Sequence, residues 1–282
     1  MRVVLLLVLG WLAPARAAER VSFGEVRSGA LGRTLPIAVI APAVLPAMGK
    51  APVLFLLHGR GRDHRSLLDS AAARAALLAA PCFIVLPQGE DGWYVNAPGN
   101  PAARYETYLE EVIAWAESQF PIATDPAARG LAGWSMGGYG AMRFAETHPG
   151  KFGFVASVIG LLDFPRPETM PEGQNYAVPV QRFTGEYAVW AAFNPLRHVE
   201  KLRGAALTLV VATEGFERTM NENFLAALKA RNLTARVHRL EGGHEFALVE
   251  RALPLVVADM ANFLDGAPTP PTPVAHGPTD RP

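Results

Sequence analysis

The chain has 282 residues, half of them hydrophobic, enough to bury a large single core. Its 26 basic residues balance 26 acidic ones, which gives a formal net charge of zero and argues against nucleic acid or another polyanion as a partner. No block of like charge, internal repeat or heptad pattern is present.

Met1-Arg2 is followed by the apolar run Val3 to Leu12, and Pro14-Ala15-Arg16-Ala17 sets small residues at the −3 and −1 positions of a cleavage site. This pattern predicts a signal peptide over residues 1–17 and a secreted or periplasmic mature chain starting near Ala18. The apolar run is too short for a membrane span and no other segment is long enough, so no stable membrane insertion is expected after cleavage. Segments near Val21 and over Leu35–Ile40 read as antiparallel edge strands. Val53–Leu57, Phe83–Leu86, Arg129–Gly133, Phe154–Ile159, Ala206–Ala212 and Ala235–Leu240 are short apolar runs, as expected of buried parallel strands.

Helical patterns separate these runs. Arg104–Gln119 places Tyr105, Tyr108, Leu109, Val112 and Ala116 on one face. Asn221–Arg231 and Glu245–Leu264 are similar, the latter interrupted by Pro254. The alternation predicts an α/β fold: a mostly parallel, doubly wound sheet with helices on both faces. Asp163–Trp190 is rich in proline and scattered aromatics, and reads equally well as a cap over a site or as a surface loop. Residues 266–282 carry prolines and threonines but too little apolar content to pack, which predicts a disordered tail and leaves one domain over 18–265. Cys82 is the only cysteine, so no intrachain disulfide can form. At the head of an apolar strand it reads as a buried small hydrophobe.

Gly133-Trp134-Ser135-Met136-Gly137 carries the chemistry. It has the form G-x-S-x-G between a buried strand and a helix, the setting that holds a serine hydroxyl at the exposed tip of a strained turn. The helix start behind Ser135 offers backbone N–H groups and positive dipole character to an oxyanion. A serine alcohol needs a base. Of seven histidines, His244 is the best placed, in Glu241-Gly242-Gly243-His244-Glu245-Phe246 between the last strand and the last helix. His58 follows the strand Val53–Leu57 and reads as structural, while His64, His148, His198, His238 and His276 read as solvent-facing. No H-x-x-x-H, H-E-x-x-H or paired-cysteine spacing supports a metal, and a serine–histidine site needs no cofactor. The acid that would orient the imidazole is less legible. The turn after Ala206–Ala212 holds Glu214 and Glu217 but no aspartate, and Asp163, one strand earlier, is a third candidate.

Taken in order, Leu56-Leu57-His58-Gly59, Asp91-Gly92-Trp93-Tyr94-Val95, Tyr105-Glu106-Thr107-Tyr108, Ala132 to Ala141, His148-Pro149-Gly150-Lys151-Phe152 and Gly242-Gly243-His244 resemble the esterase D / putative esterase family of α/β-hydrolases. That group includes S-formylglutathione hydrolases, short-chain acyl esterases, feruloyl-type esterases and antigen 85 mycolyltransferases. The resemblance runs from about Gly32 to Phe263. It implies an α/β-hydrolase fold, Ser135 as nucleophile, His244 as base, and the N–H groups of Arg60 and Met136 as oxyanion hole. Many members have aspartate where Gly215 lies. Antigen 85-like members use a glutamate slightly further along the same loop, which favours Glu217 over Glu214. The expected activity is hydrolysis of a small-molecule carboxylic ester through an acyl-enzyme. Two alternatives stand beside it: acyl transfer of the antigen 85 kind, and a non-catalytic binding module on a decayed hydrolase fold, supported only by the missing aspartate.

Overall fold

The computed structural model describes residues 20–45 and 49–266; the predicted signal segment 1–17 and residues 267–282 of the predicted tail lie outside them. In chain order the elements are β1 (Val21–Ser28), β2 (Arg33–Ile40), β3 (Val53–Leu57), α1 (Ala71–Leu78), β4 (Phe83–Pro87), α2 (Tyr105–Gln119), β5 (Arg129–Trp134), α3 (Met136–Thr147), β6 (Phe154–Val158), two single-turn helices α4 (Val180–Phe183) and α5 (Tyr187–Trp190), β7 (Ala206–Ala212), α6 (Arg218–Ala230), β8 (Arg236–Leu240) and α7 (Phe246–Leu264). The strands form one sheet in the order β1-β2-β4-β3-β5-β6-β7-β8. From β4 to β8 every pairing is parallel; β1 and β2 join antiparallel.

A strand buried on both faces needs apolar residues in both alternating sets, and β3 shows it. Val53, Phe55 and Leu57 face one core, with Tyr108, Leu109 and Val112 of α2, Tyr139 and Phe144 of α3, and Phe224 of α6. Leu54 and Leu56 face the other, with Leu77 of α1 and Leu248, Leu253 and Val256 of α7. This is the expected α/β-hydrolase arrangement, a mostly parallel sheet with helices on both faces. Pro254 sits inside α7 without ending it.

Two features differ from the sequence reading. Of the two segments expected at an edge only β1 lies there, since β2 sits between β1 and β4; the other edge is β8, expected as a buried strand but only partly covered. Residues Ile37 to Ile40 of β2 are at most 2 % exposed, and that continuous apolar run is the mark of an interior strand. Helix α1 was not anticipated, because an alanine-rich segment carries little periodic signal. It starts at Ser70, whose side chain accepts from the Ala73 N–H. Cys82 is buried as expected, and burial pushes its thiol up to about 12, so it stays unreactive at neutral pH.

The topology fixes where a site can be. From β3 the chain goes to β4 on one side, and from β5 it goes to β6 on the other. The crevice outside the carboxyl ends of β3 and β5 is therefore a switch point, where open α/β sheets bind ligands.

Candidate active site

Ser135 lies at that crevice, on the one residue between β5 and α3. Its backbone has φ 54° and ψ −120°, a conformation that an L-residue holds only when its surroundings impose it. The surroundings are glycines. A Cβ at Gly137 would overlap the carbonyl oxygen of Leu57, and one at Gly133 would overlap the carbonyl of Gly137. With neither Cβ present, the start of α3 presses against the end of β3 and the serine is thrust outward. Met136 is the first residue of α3, where an N–H has no acceptor within the helix. The loop after β3 borders the serine directly, since a Cβ on Gly59 would sit 3.3 Å from Ser135 Cβ. Arg60, the next residue, lines the same cavity as Ser135.

His58 shapes that loop. It is 2 % exposed; its Nδ1–H donates to the Gly59 carbonyl (2.8 Å), and its Nε2 lies 2.7 Å from the Gly89 N–H and 2.8 Å from Gln88 Oε1. Burial lowers its pKa below the ordinary histidine value, so the ring stays neutral. It is a strut between the β3 and β4 loops, as the sequence suggested.

His244 reaches the serine from the β8–α7 loop. His244 Nε2 lies 2.8 Å from Ser135 Oγ, and His244 Nδ1 lies 2.8 Å from Glu217 Oε2. A carboxylate can only accept, so Nδ1 carries the proton and Nε2 is left to accept from the serine hydroxyl. Glu217 is fully buried at the start of α6. It folds back toward Gly215, where a Cβ would overlap the Glu217 carboxylate. The carboxylate thus occupies the volume in which a side chain at position 215 would stand. The flanking Asn221 and Phe224 are also fully buried.

The other acid candidates are elsewhere. Glu214 is exposed, and only its backbone N–H is engaged, on the Gly242 carbonyl (3.0 Å). Asp163 is buried, but it accepts from Arg166, from Asn194 Nδ2 (2.9 Å) and from Asn223 Nδ2 (2.8 Å). That makes it an anchor for the segment that follows. Four histidines expected in solvent are half-buried. His148 stacks on Phe144 (4.0 Å between centroids) and bonds Glu110, His238 bonds Asp259 and His198 bonds the Ala191 carbonyl. His64 packs edge-on against Phe23. An imidazole body is apolar enough to pack; His148, His198 and His238 also find partners for a ring nitrogen, whereas His64 Nδ1 is buried without one, and none of the four bonds Ser135. His276 lies outside the described residues.

Residues 163–190 reach the site through one aromatic. Tyr176 stacks on Phe216 (5.3 Å, 16°), and Phe216 covers the His244 ring at 4.4 Å. Arg60 Nη1 donates to the Tyr176 hydroxyl (3.1 Å) and Arg60 Nε to Asp91 (3.1 Å). The segment therefore ties the β3 loop to the loop after β7, and it walls a separate cavity of about 370 Å³ beside Phe164, Met170 and Trp190. The cavity that contains Ser135 and His244 is smaller, about 180 Å³.

The profile of the family described as "Putative esterase" matches residues 28–260. The chain belongs to that family. Among curated relatives, an esterase of Mycobacterium tuberculosis is 25% identical over 80% of this chain and 56% of its own length. S-formylglutathione hydrolase of Mus musculus is 24% identical over 70% of this chain and 77% of its own length. The chain spans about half the length of the first curated relatives it matches. A solved fluorophosphonate-binding serine hydrolase of Staphylococcus aureus superposes with a TM-score of 0.76 at 19% identity, covering 86% of this chain and 98% of that one. Among the described residues, no helix is long and apolar enough to cross a membrane.

Proposed function

We propose that this member of the esterase family is a serine carboxylesterase acting on small-molecule esters, with Ser135 as nucleophile, His244 as general base and acid, and Glu217 as the carboxylate that orients His244. The observation that carries the reading is the unbroken chain Ser135 Oγ–His244 Nε2 and His244 Nδ1–Glu217 Oε2, both links 2.8 Å, hung on a strained turn. Ser135 Oγ attacks the ester carbonyl carbon as its proton passes to His244 Nε2. The carbonyl oxygen becomes an oxyanion, and the N–H groups of Arg60 and Met136 are the donors assigned to it. The buried Glu217 carboxylate stabilises the imidazolium without taking its proton. Collapse of the tetrahedral intermediate breaks the bond to the alcohol, which leaves with the proton from Nε2. Water then attacks the acyl-enzyme by the same route, His244 acting again as base, and releases the acid and free Ser135.

A decayed binding module has only the missing aspartate at Gly215 in its favour, and the Glu217 carboxylate occupies that volume. The pattern over Met1–Ala17 supports export of the chain. Purified protein should hydrolyse 4-nitrophenyl acetate or butyrate, and a fluorophosphonate should label Ser135. Ser135→Ala should abolish labelling and lower kcat by on the order of 10⁴ or more. Near-full turnover by that variant would sink the reading.

A further inference from the structure

The cavity that holds Ser135 is lined by two arginines with different surroundings. The Arg60 guanidinium is engaged by Asp91 and Tyr176. Arg62 is exposed to solvent, and its Cζ lies over the Phe246 ring, 4.4 Å from the ring centroid. Among the described residues its guanidinium has neither a carboxylate within ion-pair distance nor a hydrogen-bond acceptor; its backbone N–H alone is used, on the Gly59 carbonyl (3.2 Å). The ring contact covers one side of the guanidinium, and its N–H groups stay available. An arginine set against an aromatic face with its fork unspent is suited to a planar carboxylate.

Phe246 belongs to the catalytic neighbourhood. It packs edge-on against Trp134 (6.4 Å), the residue before Ser135, and follows His244 by two positions. The aromatic pair Trp134–Phe246 thus joins the serine to the arginine along one wall of the 180 Å³ cavity. The acid on that wall is Glu245, and it does not neutralise Arg62. Its carboxylate lies beside Gly242 with Arg251 Nη2, since a Cβ on Gly242 would be 3.1 Å from Glu245 Oε1 and 3.2 Å from Arg251 Nη2.

From these observations, and resting on the serine esterase reading above, we infer that the site prefers esters that carry a second, anionic group, a carboxylate, and that Arg62 is the residue that selects them. The small cavity limits the spacing to a few atoms between the reacting carbonyl and the carboxylate. The anion could sit on the acyl part or on the alcohol part, so both are tested.

The experiment compares four aryl esters. 4-Nitrophenyl hemisuccinate carries the carboxylate on the acyl side and 4-nitrophenyl pentanoate is its neutral counterpart. 3-Carboxyphenyl butyrate carries it on the leaving group, with phenyl butyrate as counterpart. In at least one pair the anionic ester should have the higher kcat/KM, by about fivefold to tenfold, as fits a charge-assisted bidentate contact discounted for partial exposure. The advantage should appear mainly in KM and shrink with added salt. Arg62→Gln should remove it, lowering the anionic ester's kcat/KM more than the neutral one's, and Arg62→Lys should restore part of it. An anionic-to-neutral ratio that is at or below one in both pairs, or is the same in Arg62→Gln, overturns the inference. Titration of Ser135→Ala protein with the same esters reads the preference without turnover. Loss of the Arg62-dependent binding difference there refutes the specificity. Binding with the difference intact but no turnover by the wild-type protein refutes the esterase reading alone.

Discussion

The turn after β5 and the loop after β7 both end at the crevice, and both place a glycine two residues before a buried or constrained position. They do so for different reasons. At Gly133 and Gly137 the excluded volume is backbone: the carbonyl groups of Gly137 and Leu57 stand where a Cβ would go. At Gly215 the excluded volume is a side chain, the carboxylate of Glu217. Backbone crowding admits no exchange of residues, because every sequence that makes the turn meets the same carbonyl oxygens. A carboxylate can be delivered to His244 Nδ1 from more than one position on a loop, provided the other position yields its space. The serine turn is thus rigid in sequence, and the acid is free to migrate.

The acid loop gives the largest expected effect. Glu217→Gln keeps the shape but offers Nδ1 an amide that can hold the wrong tautomer, so kcat should fall by about 10⁴. Glu214→Gln, on an exposed side chain, should change little. Gly215→Asp alone should fail, since it crowds one carboxylate against another. Paired with Glu217→Gly, it should recover at least about tenfold in kcat over Glu217→Gly alone, because the aspartate enters the vacated volume. Steady-state kinetics on 4-nitrophenyl butyrate decide it. No recovery in the double variant would mean that the two positions are not interchangeable and that the contrast between the loops is wrong.

The same contrast explains what could be read in the sequence. The inner strands, α2, α6 and α7 were visible from apolar runs and helical spacing, because burial on two faces or one leaves a periodic trace. Ser135 was visible because glycines demanded by the backbone frame it, and His244 because it sits in a glycine loop between the last strand and the last helix. The residues alone narrowed the acid to Glu214, Glu217 or Asp163, since nothing local separates a buried glutamate from an exposed one three residues away, and only the family resemblance favoured Glu217. The aromatic stack of Tyr176, Phe216 and His244, and Arg62 on Phe246, join residues far apart in the chain. No spacing rule announces such contacts. The segment 163–190 was undecided for the same reason: its anchors, Asp163 to Asn223 and Gln174 to the Thr219 N–H, are tertiary.

A second test bears on the backbone side. Gly137→Ala adds a single methyl group, yet it meets the Leu57 carbonyl rather than a side chain that can turn away. The start of α3 must shift, moving Ser135 Oγ off His244 Nε2. We expect a loss of about 10² in kcat/KM, the usual effect of an ångström-scale misplacement, with a destabilisation of about 1–3 kcal/mol from overpacking. Denaturant melts and kinetics on the same preparation check both. Wild-type activity in this variant would show that the turn has slack.

The smallest effect lies at the far side of α3, away from the chemistry. Glu146 is 1 % exposed and neither of its carboxylate oxygens has a hydrogen-bond partner. Desolvation raises its pKa well above the ordinary carboxylate value, with Glu200 adding to the shift and Arg143 and Lys201 opposing it. The folded state therefore favours the protonated acid more than the unfolded chain does. The stability this contributes is complete below the unfolded carboxylate's pKa and is lost as pH rises through the higher folded value, because the unfolded chain sheds its proton first. Glu146→Gln resembles the protonated acid at every pH and avoids that loss. Its Tm relative to the wild type should be nearly unchanged at about pH 5 and higher by a few degrees at about pH 8. An equal shift at both pH values would mean that Glu146 does not titrate between them, and a lower Tm at about pH 8 would mean that the carboxylate is held charged by Arg143.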